Sequence, residues 1–557
     1  MEEITKNITI IVLSIALVVS GSVTLILISL NRQYPIPTEE KITLRAGTDN
    51  ELYDLDPVLS WHSMSNDVIL QVCEGLYQYN LSDPNLGIIP MLASDYGMWD
   101  ITGTEFTVPL RRNVYFHDGT PFNAAAVKWN FERINWFING TGTLNASVGL
   151  SQIHSLYEFP NGTTILHPTN PITVNSDYRV TINLRAPYAV LESLLCYVTA
   201  FMLSPSSTPK YEYINTENGK IVGTGPFVYD YYTADTEIKF HRWERYWRTG
   251  AYFEELIISL YEDSTIMNNA LLGQSIDYLL GSRYLLPCFC ISPIISQYVR
   301  SIFYYYLGMN NNKINKTWRQ AISYAFNYTY LINEIQYGTV YRSNGPLAPT
   351  FPMYDPSIKA ATCDLAKARQ ILVDAGITNL TANNDTTGPV ADAWRAADFK
   401  SWEFFERCGI SFYADMYILL RDNLDLIGIE VEEVNDCSFL FSFPDDYDLL
   451  ELYFIGWGPE YLSPYNMIAP LFSNRSTSNF VNYHNHTVEM WLDEVLSETN
   501  ATKRAELYSK ILHQIVEVDM PHVFGYHSYR FCTHSEELFN IPYNSLMQFY
   551  AYPIYRV

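Results

Sequence analysis

Hydrophobic and polar positions recur along this chain at two periods, and the period switches many times. Residues 42–47 (ITLRAG) alternate as a strand does. After Leu55-Asp56-Pro57, the apolar run through Val68-Ile69-Leu70 to Glu74-Gly75-Leu76-Tyr77 has helical spacing. Residues 180–189 read as a strand ending at a proline turn, and 221–232 with 237–247 as two strands of a meander. A strand at 255–260, a helix at 264–273 and a strand at 278–280 follow. Residues 304–311 form a strand. The next helix carries Trp318, Arg319, Ile322 and Phe326 at i, i+3/i+4 spacing. A helix over 364–375 is closed by Gly376. Then come a strand at 399–406, a helix at 412–427 and strands at 429–434 and 451–457, the last ending at Gly456-Trp457-Gly458. Helices at 488–496 and 502–518 complete the pattern, and 138–176 and 378–398 are polar enough to read as surface loop. Strands mixed with helices throughout predict an α/β (mixed α+β) body, and no internal repeat is present.

One segment is denser in signals than the rest. Residues 114–133 read VYFHDGTPFNAAAVKWNFER. A short strand ends at Tyr115-Phe116, His117-Asp118-Gly119-Thr120-Pro121-Phe122 turns, and a helix opens near Asn123-Ala124. Asp118 suits a cap on local backbone N–H groups, which argues for a structural rather than a catalytic turn.

Length and charge narrow the function. A chain of 557 residues exceeds one hydrophobic core. A net charge of −25 with no Lys/Arg cluster excludes a nucleic-acid footprint and disfavours adhesion to anionic lipid. The aromatic share, 15% with 44 Tyr and 11 Trp, is partly core and partly suited to gripping a ligand. Residues 8–30 carry no charge; at about 1.5 Å per residue they span roughly 34 Å, enough for a bilayer. No small-residue cleavage site and no nearby Cys follows, which favours an uncleaved transmembrane anchor over a cleaved signal. Residues 31–41 form a spacer. Sequons at Asn80, Asn139, Asn145, Asn161, Asn315, Asn327, Asn379, Asn384, Asn474, Asn485 and Asn500 point to an exported, glycosylated body. In that setting the 8 Cys permit disulfides whose pairing the sequence leaves open. Cys288-Phe289-Cys290 lacks the further ligands that zinc needs. Gly223-Thr224-Gly225 lacks the third Gly and the Lys-Ser/Thr pair of a phosphate loop. No cofactor or metal is implied.

The segment 114–133 resembles the signature of the family 5 solute-binding proteins, the extracellular peptide-type receptors of ABC importers. Further blocks in matching order are Leu55-Asp56-Pro57, Glu74-Gly75-Leu76, Val222-Gly223-Thr224-Gly225-Pro226-Phe227, Tyr246-Trp247, Trp318-Arg319-Gln320-Ala321-Ile322 and Gly456-Trp457. The resemblance implies a two-lobed periplasmic-binding-protein-like fold with a hinge and an extra subdomain. It places lobe I at 42–70, 190–300 and 510–557, the subdomain at 71–189 and lobe II at 301–509, with strands crossing between lobes near 300–305 and near 510. It implies partners too: a peptide or other small solute, ABC permease subunits, and the membrane through residues 1–30. A spanning N-terminus without a lipidation Cys, together with many sequons, fits an archaeal member.

Two ligand contacts carry over by position. Peptide-binding members place an Asp for the peptide α-amino group where this chain has Glu460, one methylene longer. Dipeptide-binding members place an Arg for the ligand carboxylate where this chain has Arg407. Trp457 is expected as a pocket wall, with Trp61 and His62 opposite; each residue also fits a structural role. Other family members take nickel complexes, oligosaccharides or opines, and the aromatic excess would suit sugars. An exported hydrolase is disfavoured because GxSxG and HExxH are absent. A cell-surface scaffold or adhesion glycoprotein is the alternative of another class.

Overall fold

β-branched and aromatic residues on alternating positions assemble an 11-stranded mixed sheet. A computed structural model describes residues 42–138, 153, 156–159, 161–217, 219–281, 293–406, 410–435 and 449–557. The strands of the large sheet are β1 (Thr43–Thr48), β2 (Phe227–Thr233), β3 (Glu237–Arg242), β4 (Glu255–Leu260), β5 (Tyr278–Leu279), β6 (Ile294–Met309), β7 (Val340–Arg342), β8 (Lys400–Glu406), β9 (Ile429–Asn435), β10 (Leu452–Trp457) and β11 (His522–Ser535). Their order is β9-β8-β10-β6-β11-β5-β1-β4-β3-β2, with β7 also on β11.

The long antiparallel strands β6 and β11 hold the sheet together. Ile294 to Arg300 pair with Ser535 to Tyr529, and Tyr304 to Gly308 with His527 to His522. Between these two stretches the register shifts, so Ser301, Ile302 and Phe303 fall out of the ladder. One hydrophobic core gathers around Leu44, Ala46, Phe106, Phe131, Tyr278 and Phe549. Another gathers around Leu307, Met309, Trp318, Phe404, Met416, Phe454 and Tyr526. The body is two-lobed and mixed α/β; along β6, Ile302, Tyr304 and Tyr306 belong to the first core and Leu307 and Met309 to the second. A small sheet of Met98–Trp99, Glu105–Pro109, Arg179–Asn183 and Ile172–Ser176 packs beside the helix Ala124–Ile138.

The 114–133 segment closes a three-way joint. His117 donates its backbone N–H to Gly223 O at 2.9 Å, and its Nε2 reaches Gly225 O at 2.9 Å. Asp118 accepts from Thr120 N at 2.9 Å and from Ser207 Oγ at 2.6 Å, as well as from Ser204 Oγ, which holds its carboxyl down at about 2. Thr224 Oγ1, Tyr246 Oη and Trp247 Nε1 donate to Glu74 at 2.7, 2.6 and 2.9 Å. Gly223 must be glycine for a packing reason: a Cβ there would lie 2.2 Å from Val72 O.

Several expectations need correction. The helix from 63 ends at Val72, because Cys73 turns to extended backbone and Tyr77 begins a strand. The strand expected at Tyr115-Phe116 is a single bridge, Tyr115 to Pro121. The supposed loop 138–176 contains the strand Ile172–Ser176 and buries Leu156, Tyr157, Ile165 and Leu166 under neighbouring elements. The loop 378–398 holds a helix, Pro389–Arg395, opened by Gly388 and Pro389 at its first position. No strand lies near 510: helix Ala501–Leu512 continues as wider turns to Asp519, and β11 begins only at His522. Among the described residues no helix is long and apolar enough to cross a membrane. Residues 8–30, Cys288, Cys290, Asn139 and Asn145 lie outside them.

The sequons gain a second explanation. The side chains of Asn315, Asn327, Asn485 and Asn500 accept backbone N–H groups at helix starts. Asn485 also donates Nδ2, the atom a glycan would take, to Asp519 at 2.8 Å. Among the described residues, Cys73, Cys196, Cys363 and Cys532 are free thiols.

Candidate functional site

A cavity of about 480 Å³ opens beside the register break in β6. One wall comes from Trp61, His62, Ser63 and Met64 at the start of the helix Ser63–Val72, with Asn66 and Asp67 one turn further on. Facing it, the end of β10 supplies Gly456-Trp457-Gly458-Pro459-Glu460. Val299, Ile302 and Phe303 of β6 and Arg530, Phe531 and Cys532 of β11 form the floor. The C-terminal loop adds Tyr543, Met547 and Phe549. Aromatic walls with a few polar groups are the usual build of a small-molecule site.

The structure thus places Trp61, His62, Trp457 and Glu460 on one cavity, although nearly 400 residues separate the two pairs in sequence. Arg407 lies outside the described residues. His62 is exposed, and its ring lies 4.2 Å from that of Tyr53. Trp61 and Trp457 are half-buried, and Trp457 Nε1 has no partner among the described residues. A buried indole N–H without an acceptor is an unsatisfied donor.

Glu460 is held by its own turn. Asn466 Oδ1, from the following helix, accepts the backbone N–H groups of Glu460 and Tyr461 at 2.7 and 3.2 Å. Burial pushes the Glu460 carboxyl up to about 7. No Lys, Arg or His among the described residues forms an ion pair with it. Burial, and then the charge of Glu460, hold the phenol of Tyr197 on the same wall above its ordinary range.

Asp67 and Arg530 were not anticipated. Asp67 accepts Phe549 N at 2.9 Å, and burial pushes its carboxyl up to about 8. Among the described residues Arg530 carries the only guanidinium on the lining; it lies 5.4 Å over the Phe303 ring and donates to Gly281 O at 3.4 Å. The available signals were faint: a polar Asn-Asp pair inside an apolar helix, and one Arg in a strand otherwise free of Lys and Arg. Among the described residues no group of His, Cys, Asp and Glu is arranged to hold a metal ion.

The chain is similar over most of its length to known proteins. Heme-binding protein A of Haemophilus influenzae is 26% identical over 462 residues, 79% of this chain and 80% of that protein. The glutathione-binding protein GsiB of Pectobacterium atrosepticum is 25% identical over 486 residues, 84% of this chain and 85% of that protein. The periplasmic binding protein DppA of Helicobacter pylori, in complex with the peptide STSA, superposes with a TM-score of 0.72 at 20% identity, covering 92% of this chain and 98% of that one. The model of the bacterial extracellular solute-binding proteins, family 5 (middle region), matches residues 87–479. Members of that family are receptors for solutes, not enzymes. This chain belongs to family 5 of the extracellular solute-binding proteins.

Proposed function

We propose that this protein is the extracellular receptor of an ABC importer, that it captures short peptides between two closing lobes, and that it delivers them to a membrane permease. The observation that carries the peptide reading is Glu460: a half-buried carboxyl on an aromatic cavity, without a cationic partner among the described residues. A desolvated carboxyl of this kind is stabilised by a ligand ammonium, which a free peptide N-terminus provides. Trp457 Nε1 is suited to a ligand carbonyl, and Arg530 to a ligand carboxylate. Arg407 keeps its proposed role at the carboxylate end.

In this reading lobe I comprises 42–70, 190–300 and 510–557, the subdomain 71–189 and lobe II 301–509. The break at Ser301 to Phe303 is the hinge, since residues out of the ladder can rotate without breaking sheet hydrogen bonds. The uncharged run 8–30 anchors the body outside the cell membrane. The exposed sequons Asn161, Asn379 and Asn384 are the proposed glycan sites.

The aromatic walls favour a second reading, an oligosaccharide stacked on Trp61 and Trp457. A thermal-shift screen of residues 42–557 with tri- and tetrapeptides and with oligosaccharides decides between them. Stabilisation by peptides alone supports the first reading; stabilisation by sugars alone overturns it.

A further inference from the structure

The cavity holds two carboxyls, and the peptide α-amino group accounts for only one. Asp67 projects from the helix Ser63–Val72, while Glu460 comes from the loop after β10. Asp67 Oδ1 accepts the Phe549 N–H; among the described residues no donor reaches Oδ2 and no cation pairs with the group. Among the described residues neither acid forms an ion pair: Arg530 is the only Lys or Arg on the lining, and its guanidinium contacts the Phe303 face and the Gly281 carbonyl.

A purely structural role does not require an acid at this position. Holding the Phe549 N–H takes one acceptor oxygen, which Asn would provide without the cost of a desolvated charge. The same helix already fixes the C-terminal loop by neutral means. Gln71 Nε2 donates to Phe549 O at 2.7 Å, and Gln71 Oε1 accepts Ala551 N at 3.0 Å. An ionisable group beside an amide that does the same anchoring implies that the charge is used by something entering the cavity.

Burial pushes Asp67 up to about 8 and Glu460 to about 7, so each acid gives up its proton far less readily than an exposed carboxyl. Burial first, then Cys532 and to a smaller extent Asp67, raise the phenol of Tyr278 on the same lining. An entering cation reverses the balance: it supplies the counter-charge that water no longer gives, and the acid releases its proton to solvent. Aromatic faces at Tyr278, Phe549 and Tyr543 on the same lining suit an ammonium or guanidinium. The net charge of −25 draws cations toward the protein in general.

We propose that Asp67 is a specificity residue for a second positive charge, so that this receptor selects peptides carrying a basic side chain in addition to the α-amino group. The proposal rests on the peptide reading above. Titration calorimetry of the soluble body with Ala-Ala-Ala, Ala-Lys-Ala and Ala-Glu-Ala tests it. The expected result is Ala-Lys-Ala binding at least about tenfold more tightly than Ala-Ala-Ala, with Ala-Glu-Ala weakest. In Asp67→Asn, whose side chain keeps the bond to Phe549 N, the Lys-to-Ala ratio falls below about threefold. Equal binding of Ala-Lys-Ala and Ala-Ala-Ala by the unaltered protein overturns the Asp67 assignment and leaves the peptide reading standing. Absence of binding by all the peptides overturns the peptide reading itself. A lysine preference that survives in Asp67→Asn assigns the charge to another residue and overturns the proposal. The unaltered protein alone decides the preference, so the test does not depend on the variant folding.

Discussion

Arg133 grips Asp56 across 77 residues of sequence in a fully buried, two-pronged ion pair, with Nη1 2.9 Å from Oδ1 and Nη2 on Oδ2. The remaining valences are also satisfied. Arg133 donates to Pro209 O at 3.2 Å and Glu212 O at 2.9 Å, and Asp56 accepts Val58 N at 3.1 Å and Ile214 N at 2.9 Å. Arg133 ends the 114–133 segment and Asp56 sits in Leu55-Asp56-Pro57, so the pair bolts two family motifs to each other and to the 209–214 turn.

Removing one partner leaves the other charge buried and alone, which costs about 3–5 kcal/mol. Arg133→Ala and Asp56→Ala are therefore each expected to lower stability by that order in urea unfolding. The double replacement Arg133→Ala with Asp56→Ala is expected to cost less than the sum of the two. Additive losses would mean that the pair is not coupled.

Glu460→Gln keeps the shape of the side chain and removes its charge. A hydrogen bond to a charged group contributes about 1.5–3 kcal/mol, so peptide affinity should fall by roughly 10- to 100-fold. Calorimetry with an unblocked and an N-acetylated tripeptide checks it: the acetylated peptide should bind both proteins weakly and alike.

Peptide affinity should depend on pH with an optimum at roughly 7–8. Below 7 the Glu460 carboxyl, pushed up by burial, takes a proton and no longer meets the ammonium. Affinity then drops by up to about tenfold per pH unit, whereas above pH 8 the peptide amine itself loses its charge. In Glu460→Gln the acid limb should flatten; an unchanged acid limb would assign it to another group.

Stability of the ligand-free protein should decline from pH 6.5 to 8. Burial raises Glu74 to about 7, Asp67 to about 8 and Glu460 to about 7. Each binds its proton more tightly folded than unfolded, so its stabilising contribution is complete below about pH 4 and is lost as pH rises through the folded value. His117 and His527, lowered to about 4 by burial, act the other way. They destabilise as pH falls from 6.5 toward 4, which leaves the upper window to the carboxyls. Melting temperatures measured across the window check the sign, and a flat or rising profile contradicts it.

Gly223→Ala should destabilise the body by about 1–3 kcal/mol through overpacking, since the new Cβ would press on the Val72 carbonyl, a backbone atom with little freedom to move. Gly162→Ala serves as a contrast: no atom lies within 4 Å of its Cβ position, so its cost is confined to the positive φ of 75°. Chemical unfolding of both variants separates crowding from backbone strain.

Much of the architecture was legible in local pattern. The helix from Lys316, the Gly376 stop, the strands expected at 255–260, 399–406 and 429–434 and the turn-forming Asp118 depend on spacing and turn chemistry within a few residues. The order of the motifs carried the family, whose model matches residues 87–479. Misreadings arose where neighbours in space overrode composition. The polar stretch 138–176 conceals buried Ile165 and Leu166, and the helix read through to Tyr77 ends at Val72, where Gly223 packs against its last carbonyl.

The cavity, by contrast, was decided by tertiary structure. Sequence spacing carries no information on which groups meet when hundreds of residues separate them. Gln71 meets Phe549 across 478 positions, and Asp67 meets the Phe549 N–H across 482. The shift in register between β6 and β11 depends on how two strands align after the chain between them has folded. Trp61 and Glu460 could be nominated from the sequence by resemblance, but Asp67 and Arg530 joined them only through packing. Burial at that packed site, not residue type, lifts Asp67 and Glu460 out of the ordinary carboxylate range.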